Sequence, residues 1–355
     1  MNVNRFIQVR DGDTLGALRE FLAAWWRRVE LDALLVPVEQ KQGATATSQV
    51  IEDPAELSVA NPFAPLMLSN AAALIGDYAK RYRGRRVAAM LRPCELRTLM
   101  ELKERQRLPG EANAVITLGV DCLATFPVDK YERRVQAQGV EAVTREALAY
   151  AAEGGFSPSE FRTACQICAW PAPLDADVTI GAIGVHPDQY LLIIARDAAV
   201  DARLRLAAVT DGLATEVQVV QREAAVGSVA EQRARARAHL ENAGSERQRF
   251  GDLGSVLSWF ANCSLCGDCL DTCPLYNGEL SGMLGVHRER PPLAELVDVS
   301  RWLASCSGCG MCEAACNQDV PLMLLISSLS HQIQDGLHHH VGTPTQPLAS
   351  VSARP

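Results

Sequence analysis

Two stretches of the chain are copies of each other, and each holds four cysteines. Laying Trp259-Phe-Ala-Asn-Cys-Ser-Leu-Cys-Gly-Asp-Cys-Leu-Asp-Thr-Cys273 over Trp302-Leu-Ala-Ser-Cys-Ser-Gly-Cys-Gly-Met-Cys-Glu-Ala-Ala-Cys316, 43 residues further on, leaves eight of fifteen positions identical, the cysteines included. Each copy reads C-x2-C-x2-C-x3-C, and Pro274 follows the first. Three thiolates from one tight loop can cap three iron corners of a cube, while the fourth cysteine, at the start of the next helix, points away and completes the other cube. The spacing therefore predicts one [4Fe–4S] cluster on Cys263, Cys266, Cys269 and Cys316, and a second on Cys306, Cys309, Cys312 and Cys273. Gly267 and Gly310 suit loops whose backbone approaches sulfide closely and donates N–H bonds to it. The competing reading is two zinc sites of four thiolates each. Zinc ligands usually come as two separated C-x2-C pairs, so four cysteines in one eleven-residue run favour iron and sulfide.

Twelve cysteines in 355 residues would mean disulfides in a small secreted domain. At 38.4 kDa, with 48% hydrophobic residues, this chain can bury cores without such staples. Length and composition suggest two or three globular domains. A net charge of −8 and a pI near 5.5 argue against nucleic acid as a partner. Met1 to Asp13 has no leader-like pattern, and the longest aliphatic runs, such as Tyr190 to Ala195, fall far short of a membrane span. A reducing cytoplasm is the expected location, and dense cysteine there means metal or redox chemistry.

The first two hundred residues alternate helical and strand-like segments, the pattern of an α/β layer fold. Helices are predicted over Thr14 to Leu31, Asn70 to Tyr82 and from Pro93 through Arg105. Strands are predicted over Ala33 to Val38, Arg86 to Leu91, Ala114 to Val120, Val178 to Ile183 and Tyr190 to Ile194. From Glu216 to Arg249 the composition shifts to Ala, Arg, Glu and Gln, including Gln232-Arg-Ala-Arg-Ala-Arg-Ala238, which reads as a solvated linker helix. The expected units are thus 1–215, a charged helical linker 216–249, a two-cluster unit 250–335 and a disordered tail 336–355. The run His338-His339-His340 in that tail reads as incidental. The fold class predicted is mixed α/β in the N-terminal domain, then a mainly helical, ferredoxin-like dicluster domain.

The 32 residues between Cys273 and Cys306 exceed the spacing of the smallest ferredoxins. The C-terminal unit resembles the helical dicluster domain of heterodisulfide reductase small subunits, with Asn317 standing where that family usually has proline. The other four cysteines are Cys94, Cys122, Cys165 and Cys168. Singly, each could be a buried hydrophobe. Cys94 and Cys122, however, each follow the carboxyl end of a predicted strand, where open α/β sheets place ligands, and Cys165-Gln-Ile-Cys168 adds a chelating pair. Arg86-Val-Ala-Ala-Met-Leu-Arg-Pro-Cys-Glu-Leu-Arg-Thr-Leu99, Val115 to Cys122, Cys165 to Cys168 and Ala176 to Gly184 together resemble the beta subunit of coenzyme F-420-reducing hydrogenases and formate dehydrogenases. The resemblance covers about residues 15 to 200.

That resemblance implies a third [4Fe–4S] cluster on Cys94, Cys122, Cys165 and Cys168, beside an FAD lined by Asp177 to Gly184, with Gly181 and Gly184 named in particular. The family's small Gly-Thr-Pro turn is here Leu91-Arg92-Pro93, which puts Arg92 in reach of a flavin phosphate or a carboxylate substrate. No G-x-G-x-x-G fingerprint occurs in a strand–helix context. A flavin takes up a hydride pair and releases single electrons to cubane clusters. The function so implied links a soluble hydride carrier, deazaflavin or NAD(P)H, or else ferredoxin, through FAD and three clusters to other redox subunits of a formate dehydrogenase, hydrogenase or heterodisulfide-reductase-like complex. Two alternatives stand beside it: a flavin-free electron-relay adaptor, and a flavin-dependent reductase of an organic substrate. No catalytic side-chain constellation is visible.

Overall fold

The computed structural model describes residues 1–40, 45–152, 159–242, 260–276, 278–279 and 292–342. Its frame is an eight-stranded sheet in the order β3-β2-β4-β5-β6-β7-β1-β8. The strands are β1 (Val3–Gln8), β2 (Ala33–Glu39), β3 (Ala46–Ile51), β4 (Val87–Leu91), β5 (Ile116–Val120), β6 (Val178–Gly181), β7 (Tyr190–Ala195) and β8 (Gly212–Leu213). The four central strands β2, β4, β5 and β6 run parallel, and the outer strands are antiparallel to their neighbours. Parallel strands covered on both faces need near-continuous apolar sequence. Val87-Ala-Ala-Met-Leu91 and Ile116-Thr-Leu-Gly-Val120 supply it, and all ten positions are buried.

Helix α1 (Thr14–Val29) covers one face; the Asp13 carboxylate caps it by accepting from the Gly16 N–H, and its buried stripe of Leu18, Phe21, Leu22, Trp25, Trp26 and Val29 follows the helical period. Helices α2 (Ile75–Arg81) and α3 (Pro93–Glu104) pack on the other face with Leu96, Leu99 and Leu102. Pro93 opens α3 at its first position, and Glu95 reaches back to accept from the Arg92 N–H at 2.7 Å. Helices α4 (Val128–Gln138), α5 (Val140–Ala152), α6 (Thr163–Gln166) and α7 (Ala198–Arg203) complete the N-terminal unit.

Strands β1 and β3 have no counterpart in the sequence expectations. Each mixes polar and apolar residues without a two-residue alternation and is mostly half-buried, and β1 pairs with β7 and β8, far along the chain. The expected helix over Asn70 to Tyr82 begins instead as a 3₁₀ turn, Ala71–Leu74, capped by the Asn70 side chain, before α2.

The larger correction is α8 (Glu216–Asn242), expected to be a solvated linker. Arg222, Val229 and Arg233 are buried, with Ala225 and Val226 packed against the same core. These positions recur at helical spacing, but arginines at both ends of the stripe disguise it as polar. They are buried because the ends of β5 and β6 offer them acceptors: the Arg222 Nη2 pairs with Asp121 at 2.6 Å, and Arg233 donates to the Cys122 carbonyl. Residues 243–249 of the expected linker lie outside the described residues.

Among the described residues, the C-terminal unit contains α9 (Asp268–Asp271), α10 (Pro292–Ala304), α11 (Met311–Ala314) and α12 (Leu322–Leu337). Leu303, Val320, Leu322 and Ile326 form its core, against which five of the motif cysteines pack. It docks on the sheet unit through α3: Arg97 donates to the Ser307 carbonyl at 2.6 Å, Thr98 and Ser307 join hydroxyls at 2.7 Å, and Tyr276 packs into the α2–α3 face. The expected disordered tail starts inside the fold, because Gly336 and Leu337 belong to α12 and His339 and Val341 are buried. Residues 343–355 lie outside the described residues. No helix among those described is long and apolar enough to cross a membrane.

Candidate metal centres

Both copies of the cysteine motif bend the chain alike. Leu265 and Gly308 hold equivalent positions and both take positive φ, 55° and 68°. From there each N–H turns back to its own first cysteine, Leu265 to Cys263 Sγ and Gly308 to Cys306 Sγ, both at 3.4 Å. Gly267 and Gly310, with φ of 85° and 72°, then start α9 and α11, at whose far ends the fourth cysteines sit. Gly310 has a second reason to lack a side chain: a Cβ there would overlap that of Ala164 in α6.

The structure brings the cysteines together in three groups. Cys269 stands with Cys316, Cys266 and Cys263; burial pushes its thiol pKa up and those three neighbours add to the shift. Cys273, Cys306, Cys309 and Cys312 line one small cavity with Trp302 and Met323. Burial is the first cause there too, raising Cys306 to about 11 and Cys273 to about 12. Cys316 thus lies with the first three cysteines of the other copy, and Cys273 with those of the second.

The third group is Cys94, Cys122, Cys165 and Cys168, which line a small cavity together with Met67, Thr125, Arg162 and Arg233. Cys94 lies one residue into α3, straight after β4, and Cys122 two residues beyond β5. α6 presents Cys165, and Cys168 follows it, its thiol near the Trp170 carbonyl. The wall of this cavity also contains Cys309, which borders the preceding one as well. The two sites are neighbours.

All twelve thiols are free. Among the described residues, Glu101, Glu104 and His339 form the one trio of possible metal ligands whose donor atoms all lie within 4.8 Å of one another. No three sulfurs among those residues are that close. Four thiolates at about 2.3 Å from one zinc would stand about 3.8 Å apart, so the wider spread suits a cluster whose corners are separate irons. The arginines test the same fit. Arg162 Nη1 and Arg233 Nε are buried with no hydrogen-bond partner. A buried guanidinium with idle donors is costly unless an anion faces it, and a thiolate-ligated cluster is an anion with sulfide acceptors. The electrostatics already lean that way: burial works against the Cys165 thiolate, yet Arg162, Thr125 and Arg233 bring its pKa below the ordinary thiol value. Sequence reasoning missed Arg162 and Arg233; the signal available was the arginine spacing along α8.

The residues expected to hold a flavin do not meet. Arg92 is buried and donates to the carbonyls of Ala64 and Leu66 at 3.0 and 2.8 Å, holding the segment before α2. Asp177 lies at the start of β6, at the opposite end from the cysteines, where it accepts from Thr117 and pairs with Arg203 at 3.0 Å. Gly181 and Gly184 face α8: added Cβ atoms would meet Arg222 and Ala225. Asp121 seals that arrangement by accepting from Ala182 and Ile183 N–H at 2.9 Å while pairing with Arg222. These four positions therefore do not fit an FAD, because helix α8 fills the space that the glycines leave.

Residues 84–220 match the family model for the C-terminal part of the coenzyme F420 hydrogenase/dehydrogenase beta subunit, and residues 262–321 match the model of a 4Fe-4S dicluster domain. Two separate parts of the chain are thus similar to known families, the first to the coenzyme F420 hydrogenase/dehydrogenase beta subunit and the second to 4Fe-4S dicluster domains, as the resemblance in its sequence implied. No curated protein matches it. Among solved structures, it is similar to a chain of the F420-reducing [NiFe] hydrogenase complex from Methanosarcina barkeri, studied by xenon derivatization. The two share 12% identity at a TM-score of 0.48, over 69% of this chain and 93% of that one.

Proposed function

We propose that this chain is a one-electron relay subunit of a larger hydrogenase- or dehydrogenase-type redox complex, holding three [4Fe–4S] clusters in line. Cys263, Cys266, Cys269 and Cys316 hold the outer one, Cys306, Cys309, Cys312 and Cys273 the middle one, and Cys94, Cys122, Cys165 and Cys168 the inner one. The carrying observation is that Cys309 borders both the middle and inner cavities, so an electron can pass between them without leaving the protein. Cys266 is exposed and Leu265 beside it is 81% exposed, which makes the outer site the place where a partner subunit delivers or takes electrons. The units are 1–215 and 250–335, with α8 acting as a strut across the sheet ends.

The clusters supply single-electron storage. The chain's own residues position thiolates, aim N–H groups at sulfur and exclude water from the two inner cavities. Two-electron chemistry then belongs to a partner. The second reading, favoured by the family match over 84–220, gives this chain an FAD that exchanges a hydride with deazaflavin or NAD(P)H. Iron and acid-released flavin counted on the purified complex decide between them: about twelve irons per chain with no FAD supports the relay, and stoichiometric FAD overturns it in favour of the hydride step. About eight irons would remove the inner cluster.

A further inference from the structure

We propose that Arg162 and Arg233 make the inner site the electron sink of the chain, holding its reduction potential above that of the middle site. The inference rests on the three-cluster reading. Its basis is an asymmetry of charge across the wall at Cys309. The inner cavity is lined by three arginines, Arg92, Arg162 and Arg233, and no carboxylate among the described residues. The middle cavity is lined by Cys273, Trp302, Met323 and other uncharged groups, and behind that lining Arg97 donates to the Ser307 carbonyl next to Cys306.

The arginines differ in what they are free to do. Arg92 spends its guanidinium on the Ala64 and Leu66 carbonyls. Arg162 anchors its Nε on Thr125 Oγ1 at 2.8 Å and sets Nη2 between Cys165 Sγ, at 4.0 Å, and the Cys309 carbonyl, at 3.4 Å. It thus touches a ligand of the inner site and the backbone of a ligand of the middle one. Arg233, from α8, approaches the opposite side and donates to the Cys122 carbonyl at 3.4 Å. Neither has a carboxylate within ion-pair distance among the described residues.

The nearest carboxylates do not cancel this field. Glu95, behind Cys94, is tied to the N–H groups of Ala71 and Arg92. Glu313, which accepts from the Met323 N–H, stands beside Cys312 on the middle side. Each site has one carboxylate beside a ligand, Glu95 or Glu313, but the inner site faces the guanidinium groups of both Arg162 and Arg233, where the middle site has Arg97 behind Ser307. Reduction adds one negative charge to a cluster and changes no bond or proton, so positive charge nearby stabilises the reduced form and a carboxylate disfavours it. An electron arriving at the middle site is therefore drawn inward.

The test is a redox titration of the cluster-loaded full-length chain, followed by electron paramagnetic resonance. Comparison with a Cys94→Ser chain assigns the inner signal. In the wild type the inner midpoint is expected above the middle one. Arg162→Gln and Arg233→Gln should each move the inner midpoint down, and Arg162→Lys should restore most of the loss. An inner midpoint at or below the middle one in the wild type overturns the proposal. So does an unmoved midpoint in both glutamine variants at full iron content. If Arg162→Gln fails to load, Arg233→Gln and Arg162→Lys still decide. An iron content of about eight in the wild type is a different failure, that of the three-cluster reading itself.

Discussion

The chain gathers thiols in two ways. In the C-terminal unit, three of each four come from one loop of seven residues, and the loop's own left-handed turns aim the backbone at sulfur. In the N-terminal unit, four cysteines spread from residue 94 to 168 meet only because β4 and β5 run parallel and end on the same edge, with α6 folded back over them. The first arrangement needs little of the fold; the second is a product of it. The same difference decides how each can fail, since damage to sheet packing should empty the inner site and leave the outer two.

The largest expected effect comes from Asp121→Asn. It leaves Arg222 buried without its partner, a change that typically costs about 3–5 kcal/mol, beside the residue that carries Cys122. Thermal unfolding should shift down, and iron should fall from about twelve to about eight per chain with the dicluster spectrum retained. Loss of all iron together would show that the two units fold as one and break the contrast.

Cys94→Ser strikes one ligand without removing an ion pair. Iron should again fall to about eight, while Cys316→Ser should disturb the outer cluster and leave the inner signal in place. Equal losses of every signal in both variants would contradict independent assembly.

Gly310→Ala probes the seam. The residue sits at φ 72°, where a side chain costs about 1–2 kcal/mol, and its Cβ would press on Ala164 of the helix that bears Cys165. Magnetic coupling between the middle and inner clusters should weaken as the loop and α6 part. Unchanged coupling would mean that the sites are held together elsewhere.

The smallest effect runs the other way. Leu265 takes φ 55° where the second copy has Gly308, and its side chain lies in solvent. Leu265→Gly should relieve about 1 kcal/mol of left-handed strain, measurable as slower loss of the outer cluster under chelator. Faster loss would show that the leucine packs against something in the assembled complex.

Much of this was legible in the sequence. The parallel strands announced themselves because burial on both faces leaves uninterrupted apolar runs such as Ala33 to Val38. Strands β1 and β3 did not, because their mixed, half-buried residues give neither a continuous apolar run nor a two-residue alternation. Helix α8 was misread for a sharper reason. Hydropathy counts Arg222 and Arg233 as surface residues, and only Asp121 and the Cys122 carbonyl, more than a hundred positions away, make their burial favourable. Gly181 and Gly184, carried over by resemblance as flavin residues, meet the same helix, since glycines that could admit a cofactor admit a helix equally well.

The sequence by itself set the expected grouping of the eight motif cysteines, with Cys273 and Cys316 exchanged between them, because the spacing of cysteines on a tight loop limits which irons each thiolate can reach. Only the tertiary structure decided that Cys94, Cys122, Cys165 and Cys168 share a cavity, that α8 closes the sheet end beside Gly181 and Gly184, and that Arg162 stands between two cluster sites. Those facts depend on which strand ends lie side by side and which buried charges find partners. No local spacing encodes either.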